Sequence, residues 1–195
     1  MALLVKALLF KLREVLPSPH LRVHVGDFET IALPPASFDA VFAATAYHWI
    51  APGAQTDRPA ALLRPGGLVA IVDLVQVTSP ADHGFFAAAQ PIYERHGEGH
   101  QGPPAPTRDE VDPPMRAALD ADPRFGDVAL QRWDWDQTYT AAGYRQLMTT
   151  YSGTQRLAPE RRRALLDDIE AFAEAHFDGR VTRPLVVALT TAVLT

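Results

Sequence analysis

The sequence predicts an α/β fold in which a partial parallel sheet is followed by a helical cap. The first observation is the apolar run Phe38 to Ala44, which is typical of a strand buried on both faces of a parallel sheet. A second buried strand is indicated over Leu68 to Val75, and the stretch between the two runs is long enough for a crossover helix. After residue 80 the pattern changes, because helical periodicities and a Gly- and Pro-rich loop replace the alternation of strand and crossover.

The predicted elements are bounded by residues that favour starts and stops. Pro17 ends a first helix, Gly26 bounds a short strand, and Pro65 with the two glycines after it predicts a tight turn. Thr140 is a suitable N-cap, Pro159 a suitable first-turn residue and Gly179 a suitable C-terminal cap. In chain order we expect a helix over 2–16, strands over 21–25 and 38–44, a helix including 56–63, a turn over 64–67, a strand over 68–75, a helix over 85–96, an exposed loop over 97–114, a helix over 114–122, a strand over 128–136, helices over 140–151 and 159–177, and a strand over 185–194.

Composition narrows the functional classes. The chain has 195 residues, 47% of them hydrophobic, and a net charge of −5, so we expect one globular domain over residues 1–195. The sequence has no basic stripe, which argues against nucleic-acid binding. It has no cysteines, which excludes disulfides and thiolate chemistry. Charges at Lys6, Lys11 and Arg13 interrupt the apolar N-terminus, and no apolar run spans a bilayer, so we expect a soluble, cytoplasmic protein without membrane contact.

Three segments in order resemble class I S-adenosylmethionine-dependent methyltransferases of the methyltransferase type 11 kind. They are Val23-His24-Val25-Gly26-Asp27-Phe28-Glu29, the stretch from Leu33 to Trp49 that contains Phe38-Asp39-Ala40-Val41-Phe42, and Leu62-Leu63-Arg64-Pro65-Gly66-Gly67-Leu68. Each segment alone is weak, but their order and spacing together are specific.

The resemblance implies S-adenosylmethionine as cofactor and a small molecule as methyl acceptor. Asp27 matches the acidic residue whose carboxylate accepts a hydrogen bond from the adenine amine, and the backbone amide of Phe28 matches the one that reaches an adenine ring nitrogen. Ala44 and Thr45 match the strand end beneath the methionine part of the cofactor, where ligands of open α/β sheets bind. The implied regions are a partial cofactor-binding sheet (1–80), a cap or substrate region (81–178) and a final strand (179–195).

The sequence also departs from the family pattern. No Gly-x-Gly precedes Gly26, and Glu14 lies in a predicted helix rather than at a strand end. The family's first two strands, with the Gly-rich loop that approaches the methionine and ribose, are therefore missing from the predicted elements. We expect an incomplete Rossmann-like methyltransferase sheet in an N-terminally truncated or mis-started gene product. Cofactor binding should then be weak or lost, and the unpaired sheet edge could support self-association.

Further candidate residues lie after the strands. His48 could act as a base toward the acceptor, although a packing role beside Trp49 explains the pair equally well. Trp49 and Tyr144 are candidate acceptor contacts, although aromatic residues at these spacings are also typical of core or lid packing. We expect no metal site, because the glycines in His96-Gly97-Glu98-Gly99-His100 oppose the helix that aligns a pair of ligands.

Two alternatives to a methyltransferase stay open from the sequence. The first is a non-catalytic truncated relic that pairs through its open sheet. The second is a small-ligand binding module without chemistry.

Overall fold

The computed structural model describes residues 24–99 and 104–195, which form a mixed sheet with helices against it. The strands alternate with helices in the first half of the chain, and the cap helices separate the last two strands. The described elements are β1 (Phe38–Ala44), α1 (Pro52–Leu62), β2 (Leu63–Gln76), α2 (Phe85–Arg95), α3 (Pro114–Ala121), β3 (Phe125–Thr140), α4 (Ala141–Met148), α5 (Ser152–Arg156), α6 (Pro159–His176) and β4 (Arg180–Leu194).

The sheet has the strand order β1-β2-β4-β3. β1 and β2 are parallel, as the sequence predicts for strands joined by a crossover helix. β4 lies antiparallel to both β2 and β3. Within this four-stranded sheet, β1 and β3 are therefore the edge strands.

The predicted turn over 64–67 is a bulge inside β2 rather than a separate turn. Phe38 pairs with Leu63 but Ala40 pairs with Leu68, so several residues of β2 stand opposite one residue of β1. Gly66 has a φ of +78°, which a residue with a side chain adopts only at a cost. The bulge aligns the rest of β2 with β1.

Two clusters of buried side chains hold the layers together. On one face of the sheet, Val69 and Ile71 pack with Met115 and Leu119 of α3. Beyond the carboxyl end of β2, the cap helices α2, α4 and α6 bury a second cluster that contains Val181 of β4. The buried members of this second cluster are Phe85, Ala89, Ile92, Ala141, Tyr144, Met148, Leu165, Leu166, Ile169, Ala173 and Val181.

The expectation that the first two apolar runs are buried on both faces is wrong. β1 is an edge strand, and Phe42 is 67% exposed. Leu68 and Leu74 of β2 lie on the same face as Phe42 and are also exposed. An apolar run indicates a strand, but the burial of its side chains depends on which elements cover each face of the sheet.

The pairing places further exposed apolar side chains on this face. Leu74 and Trp133 both pair with Val187 of β4, so the two side chains point to one side of the sheet, and Trp135 follows two residues later. We call this surface the open face; it is formed by Phe42, Leu68, Leu74, Trp133 and Trp135.

Most other predicted elements agree with the structure. The Thr140 hydroxyl caps α4 by accepting a hydrogen bond from the Gly143 amide at 3.0 Å. Gly179 follows α6 with a φ of +66°, and its amide donates to the Ala173 carbonyl. The strands predicted over 128–136 and 185–194 begin earlier in the structure, and β3 also ends later.

The predicted helix over 2–16 lies outside the described residues, as do residues 21–23 of the predicted strand 21–25. His24 and Val25, the remaining residues of that strand, have no strand structure. In the described part of the chain, no helix is both long and apolar enough to cross a membrane.

Candidate functional site

The carboxyl ends of β1 and β2 bring together most of the predicted cofactor residues. Ala44 is the last residue of β1, and the Thr45 amide donates a hydrogen bond to the Val72 carbonyl at 2.8 Å. Both residues are exposed at this strand end. In open α/β sheets the ligand crevice lies at such an end.

Thr45 has a left-handed backbone, with a φ of +50°. A β-branched residue rarely adopts this conformation, because its side chain clashes with the backbone. Strained residues of this kind are concentrated at binding and catalytic sites. This strain agrees with the prediction that a ligand approaches the backbone at the end of β1.

The loop that carries Asp27 and Phe28 is held beside the segment that follows β1. Arg58 of α1 donates from Nε to the Phe28 carbonyl at 2.9 Å and from its terminal nitrogen to the Ile31 carbonyl. The Glu29 carboxylate accepts a hydrogen bond from the Ala51 amide at 2.9 Å. The structure thus brings the predicted adenine contacts to the same end of the sheet as Thr45.

One carboxylate oxygen of Asp27 is engaged within this loop. Its Oδ1 accepts a hydrogen bond from the Glu29 amide at 2.9 Å, which fixes the side chain in a turn. Asp often caps turns of this kind, and adenine recognition is the other role, which the family resemblance implies. The geometry allows both roles of Asp27, because Oδ1 caps the turn and the second carboxylate oxygen can still accept a hydrogen bond from a ligand.

His48 and Trp49 are exposed, and their rings lie 5.0 Å apart between centroids. They sit in a short 3-10 turn that is anchored by the buried Tyr47, whose hydroxyl donates to the Gln55 carbonyl at 2.6 Å. The two rings therefore pack against each other at the protein surface, just after the strand end, and both side chains remain available to a ligand.

Asp73 of β2 is a site residue that the sequence reasoning missed. Burial raises the pKa of its carboxyl, and the nearby His48 partly offsets that rise through its charge. The signal was present in the sequence, since Asp73 is the one charged residue in the apolar run Leu68 to Val75. A carboxyl with a raised pKa beside a histidine is a common arrangement for holding or moving a proton.

Tyr144 lies away from this strand end, in a cavity of about 320 Å³ between the cap helices and the end of β2. Tyr93, Tyr151 and Gln76 also line this cavity. Trp133 and Trp135 lie on the open face and do not line this cavity.

The predicted His96–His100 stretch is only partly described. The His96 ring is largely buried, and its Nε2 lies 2.8 Å from Asp168 Oδ2, so this imidazole is engaged in a contact between α2 and α6. No group of three or more His, Cys, Asp or Glu side chains suited to a metal ion occurs among residues 24–99 and 104–195.

Comparison with known proteins gives a family match and a fold match. Residues 4–71 match the family model described as a methyltransferase domain. No curated protein sequence matches the chain.

Solved structures with the same fold cover nearly all of this chain. A protein from Bacillus halodurans that is described as a methyltransferase is 18% identical, with 96% of this chain and 78% of that chain covered and a TM-score of 0.52. A protein described as a type II methyltransferase from Anaeromyxobacter dehalogenans is 17% identical, with coverage of 94% and 75% and a TM-score of 0.54. The YcgJ protein from Bacillus subtilis is 14% identical, with coverage of 95% and 76% and a TM-score of 0.52.

The structural likeness, at these identities, shows a shared fold. The family match covers the segment that carries the three motifs. The Rossmann-like α/β fold expected from the sequence is confirmed. The incompleteness of the sheet and the truncation of the gene product stay predictions. Residues 4–71 thus resemble a methyltransferase domain in sequence, and the chain shares its fold with solved structures that are described as methyltransferases.

Proposed function

We propose that this protein transfers a methyl group from S-adenosylmethionine to a small-molecule acceptor. The observation that carries the proposal is the gathering of Asp27, Phe28, Ala44 and Thr45 at one end of the sheet, beside His48 and Asp73. The cytoplasmic location stays a prediction.

The residues present fit the adenine end of this cofactor. Asp27 would accept a hydrogen bond from the exocyclic adenine amine through the oxygen that the Glu29 amide leaves available. The Phe28 carbonyl accepts a hydrogen bond from Arg58, which holds this residue in the loop, and the Phe28 amide would serve the adenine ring. Ala44 and the strained Thr45 would form the floor beneath the methionine part.

S-adenosylmethionine, when bound, supplies a methyl group on a positively charged sulfur that an O, N or C nucleophile can attack in line. The contribution of the chain is mainly to hold the reacting groups in position, which by itself accounts for large accelerations. Where the acceptor must lose a proton, the exposed His48 imidazole just after the strand end is the candidate base.

We expect this binding to be weak. The sequence supplies no Gly-rich loop before Gly26, so hydrogen bonds to the ribose and the methionine carboxylate are fewer than in the family pattern. Each tenfold loss of affinity corresponds to about 1.4 kcal/mol, which is the contribution of roughly one good hydrogen bond to a charged group.

Isothermal titration with S-adenosylmethionine tests the adenine contact. Asp27→Asn should weaken binding, because an amide presents a donor where the adenine amine needs an acceptor. Asp127→Asn is the matched control: it removes the same charge from an exposed residue with a φ of +50°, which Asn tolerates. Equal losses in both variants would contradict the assignment, and a micromolar affinity of the unaltered chain would contradict the expectation of weak binding.

A small-ligand binding module without chemistry is the second candidate. The cavity lined by Tyr93, Tyr144 and Tyr151 favours it, because this cavity lies in the cap and not at the predicted cofactor contacts. A ligand that binds equally well with and without S-adenosylmethionine, and is never methylated, would select this function.

We also propose that the protein self-associates through β1. Its outer edge has no neighbouring strand among the described residues, and the open face beside it is apolar. Exposed strand edges next to apolar surface are sites of pairing between chains. Light scattering after gel filtration should show a concentration-dependent dimer, and Ala40→Pro, which removes an edge amide in β1, should reduce it.

A further inference from the structure

The cap contains a cavity whose lining does not belong to the predicted cofactor contacts. It lies between α2, α4, α5 and α6 and the end of β2, and its volume is about 320 Å³. Pockets that hold small ligands begin at roughly this size, about 300 Å³. The cavity is therefore large enough for a small organic group but not for a whole nucleoside cofactor.

Aromatic rings form much of its wall. Phe86 and Tyr93 come from α2, Tyr144 from α4, and Tyr151 from the turn before α5. The Tyr93 and Tyr144 hydroxyls are hydrogen-bonded to each other at 3.1 Å. The Tyr151 hydroxyl is buried and has no hydrogen-bond partner among the described residues, so a polar ligand would satisfy it.

These phenols are neutral at physiological pH. Burial raises the pKa of Tyr93 to about 12, and burial raises the pKa of both Tyr144 and Tyr151 above their usual value. A neutral aromatic ring presents a partial negative charge on its face, which attracts cations.

Among the described residues that line the cavity, Glu98 is the only charged one. Glu98 reaches the cavity from the segment after α2 and lies against Gly153 of α5, where a β-carbon would collide with its carboxylate. Arg183 stands outside the lining: its Nε donates to Gln76 Oε1 at 3.1 Å, and its guanidinium lies 5.8 Å from the centre of the Tyr151 ring. The described lining therefore offers aromatic rings and one carboxylate, whereas the Arg183 guanidinium acts on Tyr93, Tyr144 and Tyr151 through its charge from outside the lining.

We propose that this cavity binds the ammonium group of a small organic amine, held between the tyrosine rings and the Glu98 carboxylate. A carboxylate alone would favour any cation, but the aromatic walls favour an alkylated ammonium over a hydrated metal ion. A carboxylate or phosphate ligand is disfavoured, because it would meet the Glu98 carboxylate, the one charged group among the described lining residues.

The position of the cavity relates it to the predicted methyl-transfer site. Gln76 follows Val72, the partner of the Thr45 amide, by four residues of β2, which is roughly 13 Å of extended strand. This spacing suits an anchoring group at some distance from the reacting atom. That the bound amine is the methyl acceptor rests on the proposed function, whereas cation binding itself does not.

Choline and its uncharged isostere 3,3-dimethylbutan-1-ol test the proposal without any cofactor. Both present three methyl groups and a hydroxyl, so they differ in charge and little in shape. In proton NMR titrations of the full chain, choline should bind about tenfold or more tightly than the alcohol, as expected for a cation–π site with a carboxylate. Its methyl resonance should move upfield, because the aromatic ring faces shield protons that lie above them.

Single substitutions test the Glu98 carboxylate and the tyrosine rings separately. Glu98→Gln should abolish most of the preference for choline, whereas Glu160→Gln, which removes the same charge from an exposed position on α6, should keep it. Tyr151→Phe keeps the ring and should retain binding, whereas Tyr151→Leu should weaken it and reduce the upfield shift. Circular dichroism of each variant shows whether the fold is kept.

Equal affinity for choline and the alcohol would overturn the proposal. It would also be overturned if neither probe bound. A loss of preference in Glu160→Gln as large as in Glu98→Gln would also overturn it. These outcomes leave the methyl-transfer proposal standing, because that proposal is tested separately by S-adenosylmethionine titration. Conversely, choline binding by a chain that never binds S-adenosylmethionine would support the cation site and contradict methyl transfer.

Discussion

Asp73 shows how a single residue can cost stability at a site. Burial raises the pKa of its carboxyl, so the folded protein holds this charge less readily than the unfolded chain does. Such a cost is typical of groups placed for function rather than for folding. His48 reduces the cost without removing it, which links the two residues electrostatically.

The raised pKa of Asp73 predicts a pH-dependent stability. As the pH rises from below the unfolded value of 3.8 through the higher folded value, the unfolded chain loses its proton first, so the free energy of unfolding falls. Asp73→Asn removes this titration and should stabilise the protein more at pH 7 than at pH 3. Urea unfolding at both pH values measures the difference. Asp127→Asn, at an exposed position, should show no such gain, and an equal gain in both variants would contradict the prediction.

The hydroxyl of Thr140 carries a second residue-scale prediction. It caps α4 through the Gly143 amide, and Thr140→Ala leaves that amide without its partner. We expect a loss of about 1 kcal/mol in the free energy of unfolding. Thr140→Ser keeps the hydroxyl and should recover most of the loss, and chemical denaturation of both variants decides between capping and packing of the methyl group.

At the scale of elements, helices were easier to predict than strands. The start of α4 and both ends of α6 follow from residues that act locally, because Thr140, Pro159 and Gly179 each favour a helix boundary through their own backbone or side chain. The helix predicted over 140–151 ends earlier in the structure, since α4 spans Ala141–Met148 and a separate α5 begins at Ser152. β3 was predicted over 128–136 but spans Phe125–Thr140, since its last residues pair with the first residues of β4. Pairing between strands distant in sequence leaves little local signal.

Only part of the candidate site was predicted, because some of its residues gain their significance from contacts between segments distant in sequence. Asp27, Phe28, Ala44 and Thr45 were found from motif resemblance, and their roles as cofactor contacts stay predictions. Asp73 and the Glu98 carboxylate were missed, because their significance comes from neighbours that only the folded chain supplies.

The cap depends on the packing of α6 against its neighbours. Ile169 is fully buried in the cluster that joins α6 to α2, α4 and β4. Ile169→Ala should lower the free energy of unfolding by about 2–5 kcal/mol, because it leaves a cavity in a packed region. Glu160→Ala on the exposed side of α6 should change it by less than about 0.5 kcal/mol. Thermal and urea unfolding measure both, and a small effect of Ile169→Ala would mean that the cap is loosely packed.

At the scale of the whole molecule, the sheet is covered unequally. α3 buries one face, and the cap helices cover only the far end of the other. The open face leaves Trp133 50% exposed and Phe42 67% exposed, together with three further large apolar side chains. Contiguous apolar surface of this kind is uncommon on monomers, and it supports the proposal that the protein self-associates.

Because one face of β2 is open and the other is covered, a substitution by Gln should change the free energy of unfolding very differently on the two faces. Leu74 is 38% exposed on the open face, so Leu74→Gln should change the free energy of unfolding of the dilute protein by less than about 0.5 kcal/mol. Ile71 is 1% exposed on the covered face, and Ile71→Gln should cost more than about 3 kcal/mol, because it buries an amide in an apolar layer. Leu74→Gln should also reduce both the fluorescence of bound anilinonaphthalene sulfonate and the dimer fraction, since both depend on exposed apolar surface. If Leu74→Gln instead destabilised the dilute protein as strongly as Ile71→Gln, another part of the chain or a second copy would have to cover this face already at low concentration.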